Sequence, residues 1–318
     1  MAGAARRTSN KTAANATTAD LVAVLVAVTD GEPKIMTIAN AGALPSGPFE
    51  FAHRSLQTGL RAWVETQTGH PLGYVEQLYT FADRGRAGDA KSPHSISISY
   101  LGLTREDQVG QGFEAHWSGW YEYFPWEDQR SGLPAALAKT LASRLRAWSK
   151  SADTASQQRE RWQRVAITFG LDEREWNEEL VLQRYELLYE AGLIPEAVRD
   201  CAGAAAIIPG RPMIGDHRRI LATGIARLRA KIKYRPVVFE LMPAEFTLLQ
   251  LQRSVEALAG RLVHKQNFRR LIEQQQLVEE TGAIAAETVG RPAKLFRFRH
   301  GVLAERAVVG TKLPLSRT

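Results

Sequence analysis

The spacing of apolar residues over the first 130 positions predicts a mainly β-stranded region with one principal helix. The segment at 95–103 alternates Ser with Ile and then Tyr with Leu, which is the period-two pattern of a strand with two unlike faces. The segment TDGEP separates the first two β-branched runs and is typical of a turn. The predicted strands are 21–28, 34–40, 74–81, 95–103 and 117–128, the last from the aromatic segment WSGWYEYFPWED.

The principal helix of this region is predicted near 53–67 and is expected to end at Gly69. Four apolar residues recur there at spacings of three and four and share one face: Leu56, Leu60, Trp63 and Val64. From 131 to about 230 the pattern changes to that of helices. Four segments show apolar residues at helical spacing: PAALAKTLASRLRAWSKSA, QQRERWQRVAITFG, EREWNEELVLQRYELLYEAG and DHRRILATGIARLRAKI.

The last module, from 237 onward, predicts two short helices followed by a hairpin. The first helix, EFTLLQLQRSVEALAG, ends at Gly260, and the second, KQNFRRLIEQQQLV, is expected to turn Phe268, Leu271 and Ile272 inward. The segment TGAIAAETVGRPAKLFRFR predicts two strands joined by a turn at 290–292. Two helices and a basic hairpin in this order form a winged helix-turn-helix.

The net charge of the chain is +7, and all of this excess lies in residues 231–318, which carry 15 Lys or Arg and 8 Asp or Glu. The remaining residues hold 26 of each sign. A neutral body with a basic terminal module is the charge distribution expected when one domain contacts phosphates. A basic but merely solvated surface would give the same balance.

The second helix of the winged helix supplies side chains suited to DNA. Lys and Arg neutralise phosphates and release counterions, and Arg, Gln and Asn can pair with base edges. Further cations lie on the hairpin, including Arg297 and Arg299. The predicted DNA-binding residues are Lys265, Gln266, Asn267, Arg269 and Arg270 on the helix and Arg291 and Lys294 on the wing.

The composition excludes several other classes of protein. The longest apolar runs, at 21–28 and 203–210, fall far short of the roughly 20 residues that span a bilayer. The first 19 residues are polar and lack the apolar core of a signal peptide, so a flexible tail and a cytoplasmic location are expected. The single cysteine, Cys201, excludes a disulfide framework and a cysteine-rich metal site, and it is expected to be a small buried residue.

Residues 44–73, LPSGPFEFAHRSLQTGLRAWVETQTGHPLG, resemble a Nudix box, a loop-helix-loop whose carboxylates bind divalent cations. The pattern is Gly, five residues, Glu, seven residues, then Arg-Glu-hydrophobic-any-Glu-Glu-any-Gly. The matching residues are Gly47, Arg61, Trp63 and Glu65. The departures are His53 in place of the first Glu, Ala62 and Thr66 in place of two others, and one additional residue before Gly69.

These departures predict a Nudix-like domain without catalytic residues and without a metal site. Hydrolysis of a diphosphate by these enzymes needs a cluster of carboxylates around hard cations, and one surviving carboxylate cannot hold such a cluster. Arg61 and Glu65 are expected either to form a structural ion pair or to contact a ligand. The predicted ligand-binding residues are His53, Arg61, Glu65 and Arg84.

Both halves of the chain are similar to one family, the Nudix-related transcriptional regulators of NAD metabolism (NrtR type). The resemblance lies in the degenerate box, in VEQLYTFADRGR and ISISYLGL after it, in the Asp-His helix and its link into the winged helix at 216–252, and in NFRRLI and GRPAKLFRF. One departure is large, because about 85 residues of helical sequence separate the aromatic segment from the Asp-His helix. This longer architecture resembles the alphaproteobacterial NAD-biosynthesis regulator branch.

The resemblance implies an α+β fold in which a Nudix-like α/β/α domain carries a helical insertion and is followed by a C-terminal winged helix-turn-helix. The expected segments are a tail at 1–19, a Nudix-like effector domain at 20–130, the insertion at 131–215, a linking helix at 216–236 and the winged helix at 237–318.

It also implies a homodimeric regulator, expected to be a repressor, that binds double-stranded operator DNA of NAD-biosynthesis genes. No cofactor is required, and the effector is expected to be an adenine nucleotide: NAD, ADP-ribose or ATP. Two alternatives stay open. The chain is an active Nudix hydrolase of ADP-ribose or a similar diphosphate if acids elsewhere replace the missing ligands. It is an interaction scaffold if the winged helix binds protein instead of DNA.

Overall fold

A computed structural model describes residues 17–73, 75–83, 95–106, 113–199, 208–233, 237–285, 292–299 and 301 of the chain. Its centre is a mixed sheet of six strands: β1 (Thr18–Thr29), β2 (Glu32–Thr37), β3 (Ser46–Pro48), β4 (Val75–Phe81), β5 (Ser95–Leu103) and β6 (His116–Gly119). The order is β4-β5-β1-β2-β6, with β3 paired to β1. β1 and β5 run parallel, and the other pairs are antiparallel. The strands predicted at 21–28, 34–40, 74–81 and 95–103 and the turn after β1 are therefore confirmed, whereas β3 was not predicted. β1 begins at Thr18, within the expected tail at 1–19.

The aromatic segment at 117–128 corrects one prediction, because only its first residues belong to a strand. β6 ends at Gly119, and two short 3-10 turns follow, Trp120–Glu122 and Pro125–Glu127. Trp120, Tyr123, Phe124 and Trp126 are all fully buried. A strand turns alternate residues to opposite faces, whereas this compact coil buries nearly all of its aromatic rings in one core.

Two helices cover the two faces of the sheet. Helix α1 (Leu56–Thr68) packs on the face of β1 that carries Leu21, Ala23 and Leu25. The alternate residues of β1 join a larger core that contains helix α6 (His217–Ile232). Gly224 allows this close approach, because a Cβ there would lie 2.9 Å from a methyl group of Val24.

Four helices lie between the aromatic segment and α6: α2 (Ala135–Lys150), α3 (Ala155–Phe169), α4 (Val181–Glu190) and the short α5 (Pro195–Val198). The prediction that the third helical segment begins near 173 is wrong. Asp172 and Glu173 both have positive φ angles, of 53° and 63°, which ends any helical path there. The Asn177 side chain accepts a hydrogen bond from the backbone N–H of Glu179, a local bond that competes with helix formation.

The C-terminal region is a winged helix, as predicted. A 3-10 turn (Val237–Leu241) leads into α7 (Leu248–Ala259), α8 (Lys265–Gln274) and the hairpin of β7 (Val278–Ala285) and β8 (Ala293–Phe298). Thr247 caps the start of α7, and Gly260 ends the helix with a φ of 71°. The hydrophobic core is continuous from the sheet through the inserted helices into this region, since one cluster contains residues of all three.

A buried charged cluster joins these parts. The Glu127 carboxylate accepts hydrogen bonds from Arg184 of α4, at 2.5 and 2.9 Å, and from Arg229 of α6, at 2.6 Å. All three side chains are at most 1% exposed. Arg229 also donates to the carbonyl oxygens of Glu178 and Leu258. One carboxylate thus ties the aromatic segment, the inserted helices, α6 and the winged helix together.

Substitution Glu127→Gln is expected to destabilise the protein by about 3–5 kcal/mol, because two buried guanidinium groups lose their counter-charge. The free energy of unfolding, measured by urea denaturation, tests this. The matched control is Glu190→Gln, which removes the partner of Arg164 in an exposed ion pair of 2.5 Å. That substitution should cost about 1 kcal/mol or less. Equal losses in the two variants would contradict the role assigned to Glu127.

His217, the first residue of α6, is held neutral between the helix and the sheet. Its Nδ1 accepts a hydrogen bond of 3.0 Å from the backbone N–H of Leu44. Burial lowers the pKa of His217 to about 4, although the nearby carboxylate of Asp20 pulls the pKa upward. In the unfolded chain this imidazole has a pKa of about 6.5. Between these two values the unfolded state binds a proton that the folded state does not.

Stability should therefore fall as the pH decreases from about 6.5 towards 4, by up to about 1.4 kcal/mol per pH unit from this group alone. His217→Asn keeps an acceptor for the Leu44 N–H but cannot take up the proton, so the pH dependence of unfolding should become shallower in this window. Urea unfolding at several pH values measures the slope. His116→Asn, at an exposed histidine, should leave the slope unchanged. An unchanged slope in His217→Asn would show that His217 does not carry the effect.

Candidate DNA-binding face and Nudix-like loop

Helix α8 has one apolar face and one polar face. Phe268 and Ile272 are buried at 0% and 1% exposure, and Leu271, also predicted to face inward, is only half-buried. The predicted DNA-binding residues of this helix lie together in its first two turns: Lys265, Gln266, Arg269 and Arg270 are exposed and Asn267 is half-buried. The helix thus turns its polar and cationic side chains towards solvent near its N-terminus, as a recognition helix requires.

The cations of α8 differ from those of the wing in how they are paired. Within the described residues, no carboxylate forms an ion pair with Lys265, Arg269 or Arg270, so these charges are available to an external anion. In the wing, Lys294 pairs with Glu280 at 2.9 Å and Arg297 pairs with Glu279 at 2.7 Å. The predicted contact Arg291 lies outside the described residues.

Aromatic packing and a short β-bridge hold the wing against the helices. Phe246 and Phe296 exchange two backbone hydrogen bonds, of 2.8 and 2.9 Å. The ring of Phe298 stacks on Phe239 with centroids 3.5 Å apart and lies 4.5 Å from the ring of Phe246. The strand that carries Lys294 is anchored in this way to the segment that leads into α7.

The last turn of α7 is fastened to the aromatic segment through its carbonyl groups, which no helical N–H can reach. The Tyr121 hydroxyl donates to the carbonyl oxygen of Ala257 at 2.6 Å, and Arg229 donates to that of Leu258 at 2.9 Å. The backbone N–H of Gln129 donates to the carbonyl oxygen of Gly260 at 2.7 Å. Burial raises the pKa of Tyr121, so its hydroxyl remains a donor. These bonds fix the first helix of the winged helix on the N-terminal domain.

The segment that resembles a Nudix box has the predicted loop-helix-loop form. Ser55 caps the start of α1, where its side chain accepts a hydrogen bond from the Thr58 N–H, and Gly69 ends the helix with a φ of 66°. Gly47 lies directly beneath the Trp63 ring, because a Cβ at this position would meet the indole at 2.3 Å. Gly47, which matches the glycine of the Nudix-box pattern, thus leaves room for the Trp63 ring.

The proposed ion pair between Arg61 and Glu65 is absent from this part of the structure, which corrects one of the two expectations for these residues. Arg61 instead donates to the backbone carbonyl oxygens of Leu72 and Gly73, the latter at 2.7 Å, and so holds the loop after the helix. Glu65 is exposed. Two hydrogen bonds to fixed backbone carbonyls stabilise the Arg61 guanidinium more than an ion pair with the flexible, solvent-exposed Glu65 carboxylate would.

His53 is part of an aromatic cluster at the edge of the loop. Its Nδ1 accepts a hydrogen bond of 3.0 Å from the Glu50 N–H. Its ring stacks on Phe49, with centroids 5.9 Å apart, and meets the edge of Trp63 at 6.4 Å. The position that would carry a metal-binding glutamate therefore belongs to a partly exposed aromatic surface.

Among the described residues, no group of three or more His, Cys, Asp or Glu is placed to hold a metal ion. Arg84, the fourth predicted ligand contact, lies outside the described residues. His53 and Glu65 remain accessible to a ligand, whereas Arg61 is occupied with the loop carbonyls.

The sequence reasoning missed the buried charged cluster, although a signal for it was present. Arg184 shares the apolar face of α4 with Val181, Tyr185 and Leu188, and all four are buried. A charged residue on such a face is almost always paired when it is fully buried. The sequence cannot show which distant carboxylate is the partner.

Comparisons with known proteins agree with this architecture. The family described as "NrtR DNA-binding winged helix domain" matches residues 238–298. The chain is 40% identical over 85 residues to the "ADPR responsive transcriptional repressor NtrR" of Acinetobacter baylyi. That match covers 26% of this chain and only 33% of the relative, so the chain matches about one third of that protein's length.

Solved structures with the same fold cover nearly the whole chain. The Shewanella oneidensis NrtR structure complexed with a 27mer DNA has a TM-score of 0.54 at 20% identity, and the match covers 90% of this chain and 95% of that one. A MutT/nudix family protein from Enterococcus faecalis has a TM-score of 0.51 at 16% identity, covering 90% and 87% of the two chains.

At these identities the structural likeness shows a shared fold. Across the described residues, no helix combines the length and apolar character needed to cross a bilayer. The predicted α+β fold is therefore confirmed, and residues 238–298 match the NrtR-type winged helix. Over the whole chain the likeness to NrtR and to the MutT/nudix protein is a likeness of fold.

Proposed function

We propose that this chain is a DNA-binding transcriptional regulator that represses NAD-biosynthesis genes. The observation that carries this function is the unpaired cationic face at the start of α8, presented by a winged helix that is fastened to the Nudix-like domain. The name of the Acinetobacter relative, a transcriptional repressor, and the DNA in the Shewanella complex support the same function.

In this function α8 enters the major groove with its N-terminal turns. Lys265, Arg269 and Arg270 neutralise phosphates, while Gln266 and Asn267 are the residues suited to base edges. The wing contributes less than its sequence suggests, because Lys294 and Arg297 already have carboxylate partners. Arg291, in the predicted turn of the wing, completes the proposed contact set. A homodimer is proposed because helix-turn-helix proteins commonly read two half-sites.

The proposed effector is an adenine nucleotide of the NAD group, with ADP-ribose favoured by the name of the Acinetobacter relative. The proposed site is the Nudix-like loop, where the aromatic cluster of Phe49, His53 and Trp63 offers a surface for stacking a base. Glu65 and Arg84 are the proposed polar contacts. Arg61 takes part indirectly, since it fixes the loop at Leu72 and Gly73.

The same loop is proposed to bind without hydrolysing. Catalysis of diphosphate hydrolysis needs clustered carboxylates for divalent cations, and His53, Ala62 and Thr66 occupy positions where the pattern has Glu.

The proposed domain division follows the same functions: the effector domain at 20–130, the insertion at 131–215, the linking helix at 216–236 and the DNA-binding domain from 237 onward. An effector alters DNA affinity only if it binds two placements of the winged helix unequally.

The double substitution Arg269→Ala and Arg270→Ala should weaken binding to a promoter fragment of a NAD-synthesis gene by about tenfold or more, because two groove-facing cations are lost. The dependence of affinity on salt should also become shallower, by a slope of up to roughly 1.8 if both cations contact phosphates. Gel shift or fluorescence anisotropy at several salt concentrations measures both quantities.

The matched control for charge is the pair Lys139→Ala and Arg144→Ala, two exposed cations of α2. It should leave DNA affinity unchanged. Equal weakening by both pairs would mean that general charge rather than α8 attracts DNA. Failure of the parent protein to bind the promoter fragment at moderate salt would exclude the proposed function.

ADP-ribose should raise the melting temperature, since a ligand at about 100 times its Kd stabilises the folded state by about 2.7 kcal/mol. His53→Ala should reduce this shift by removing the stacked ring, and His116→Ala serves as the control at another histidine, one exposed on β6. The same samples, incubated with Mg²⁺, should release no AMP. AMP formation would establish the hydrolase alternative, and a shift that is unaffected in His53→Ala would place the ligand elsewhere.

A further inference from the structure

An open cleft of about 440 Å³ lies on the inserted helices, between α2 and α3 and beside the turn that follows α3. Eight of its eleven lining residues have polar or charged side chains. Four cations surround it, Arg146, Lys150, Arg159 and Arg174, and all four are exposed to solvent. Asp172 is the one carboxylate among its lining residues, so the cleft has a formal charge of +3.

The charge of the cleft is largely uncompensated. Asp172 accepts a hydrogen bond of 2.6 Å from the Trp162 indole N–H and lies 4.0 Å from Arg146. No carboxylate in the described part of the chain forms an ion pair with Lys150, Arg159 or Arg174. Like charges held in one concave site repel each other, and a multiply charged anion relieves this repulsion.

One wall of the cleft is ordered before any ligand arrives. The Arg146 guanidinium lies 3.8 Å from the centroid of the Trp162 ring, and the indole is itself held by Asp172. Stacking of this kind limits the freedom of a long side chain, so less conformational entropy is lost when it binds an anion. The wall therefore offers a positioned guanidinium with N–H donors for phosphate oxygens.

We propose that this cleft binds small polyphosphate compounds, of which nucleoside triphosphates are the representative class. Its volume is in the range of small-molecule sites, and its concave form favours a compact ligand over a DNA backbone. The cleft shares no lining residue with the Nudix-like loop, and its helices pack into a different hydrophobic cluster from α1. Binding in the cleft is independent of the proposed regulator function, because it requires neither DNA nor the Nudix-like loop.

The test is isothermal titration calorimetry of the full chain with inorganic tripolyphosphate and with ATP, in the absence of DNA. Arg159→Ala combined with Arg174→Ala should raise the Kd of both compounds by about tenfold or more, because charge-assisted hydrogen bonds are lost. The pair Lys139→Ala and Arg144→Ala removes the same charge from α2 outside the cleft and should leave both Kd values unchanged. His53→Ala, in the Nudix-like loop, should leave tripolyphosphate binding unchanged.

Fluorescence gives a local readout. Tripolyphosphate should change the emission of the parent protein, and Trp162→Phe should abolish most of this change while calorimetry still detects binding. If ATP binds and tripolyphosphate does not, or if His53→Ala removes the binding, the ligand occupies the Nudix-like loop and the cleft assignment is wrong. The cleft assignment would also be wrong if calorimetry detects no heat with either compound, or if the two double variants weaken binding equally. It would likewise be wrong if Arg159→Ala with Arg174→Ala lowers only the affinity for DNA.

Discussion

The whole arrangement depends on the buried carboxylate of Glu127, which binds two arginines from different helices. Arg184 belongs to the inserted helices and Arg229 to the helix that leads into the winged helix, so one acidic group sets the distance between them. An unpaired guanidinium would be very unfavourable at this depth. The fold therefore permits few alternative placements of these helices. A second buried pair, Arg218 with Glu196 at 2.9 Å, secures the start of the same helix.

The cluster of Glu127, Arg184 and Arg229 also determines how the winged helix is attached to the N-terminal domain. Arg229 donates to the carbonyl oxygen of Leu258, and Tyr121 and Gln129 donate to those of neighbouring residues in the last turn of α7. Because α7 packs against α8, the position of the cationic helix follows from bonds made by the N-terminal domain. Any displacement of the aromatic segment would therefore reach the proposed DNA-binding face through these hydrogen bonds and a continuous core.

The charged groups of the molecule divide into three kinds with different consequences. Buried charges such as Glu127 are fully paired and act structurally. Wing cations such as Lys294 are exposed but paired, so their field at a distance is reduced. Most cations at the start of α8 and around the cleft of α2 and α3 have no carboxylate partner within the described residues, and these are the charges proposed to bind an external phosphate compound. Whether a charged side chain has a carboxylate or guanidinium partner distinguishes the proposed binding surfaces from the structural ion pairs better than the net charge of +7 does.

The sequence by itself determined β1, β2, β4 and β5, the helices between 131 and 230 and the winged helix, because regular periodicity, helix caps and turn residues act locally. It also located the polar face of α8 and the carboxylates missing from the Nudix-like loop. It failed where the outcome depended on distant partners. The aromatic segment after Gly119 coils instead of extending, since helices from elsewhere bury its rings on all sides. Arg61 binds loop carbonyls instead of Glu65, and the partners of Arg184 and Arg229 lie 57 and 102 residues away along the chain. Such pairings depend on how distant segments pack in three dimensions, and a local sequence pattern carries no information about that packing.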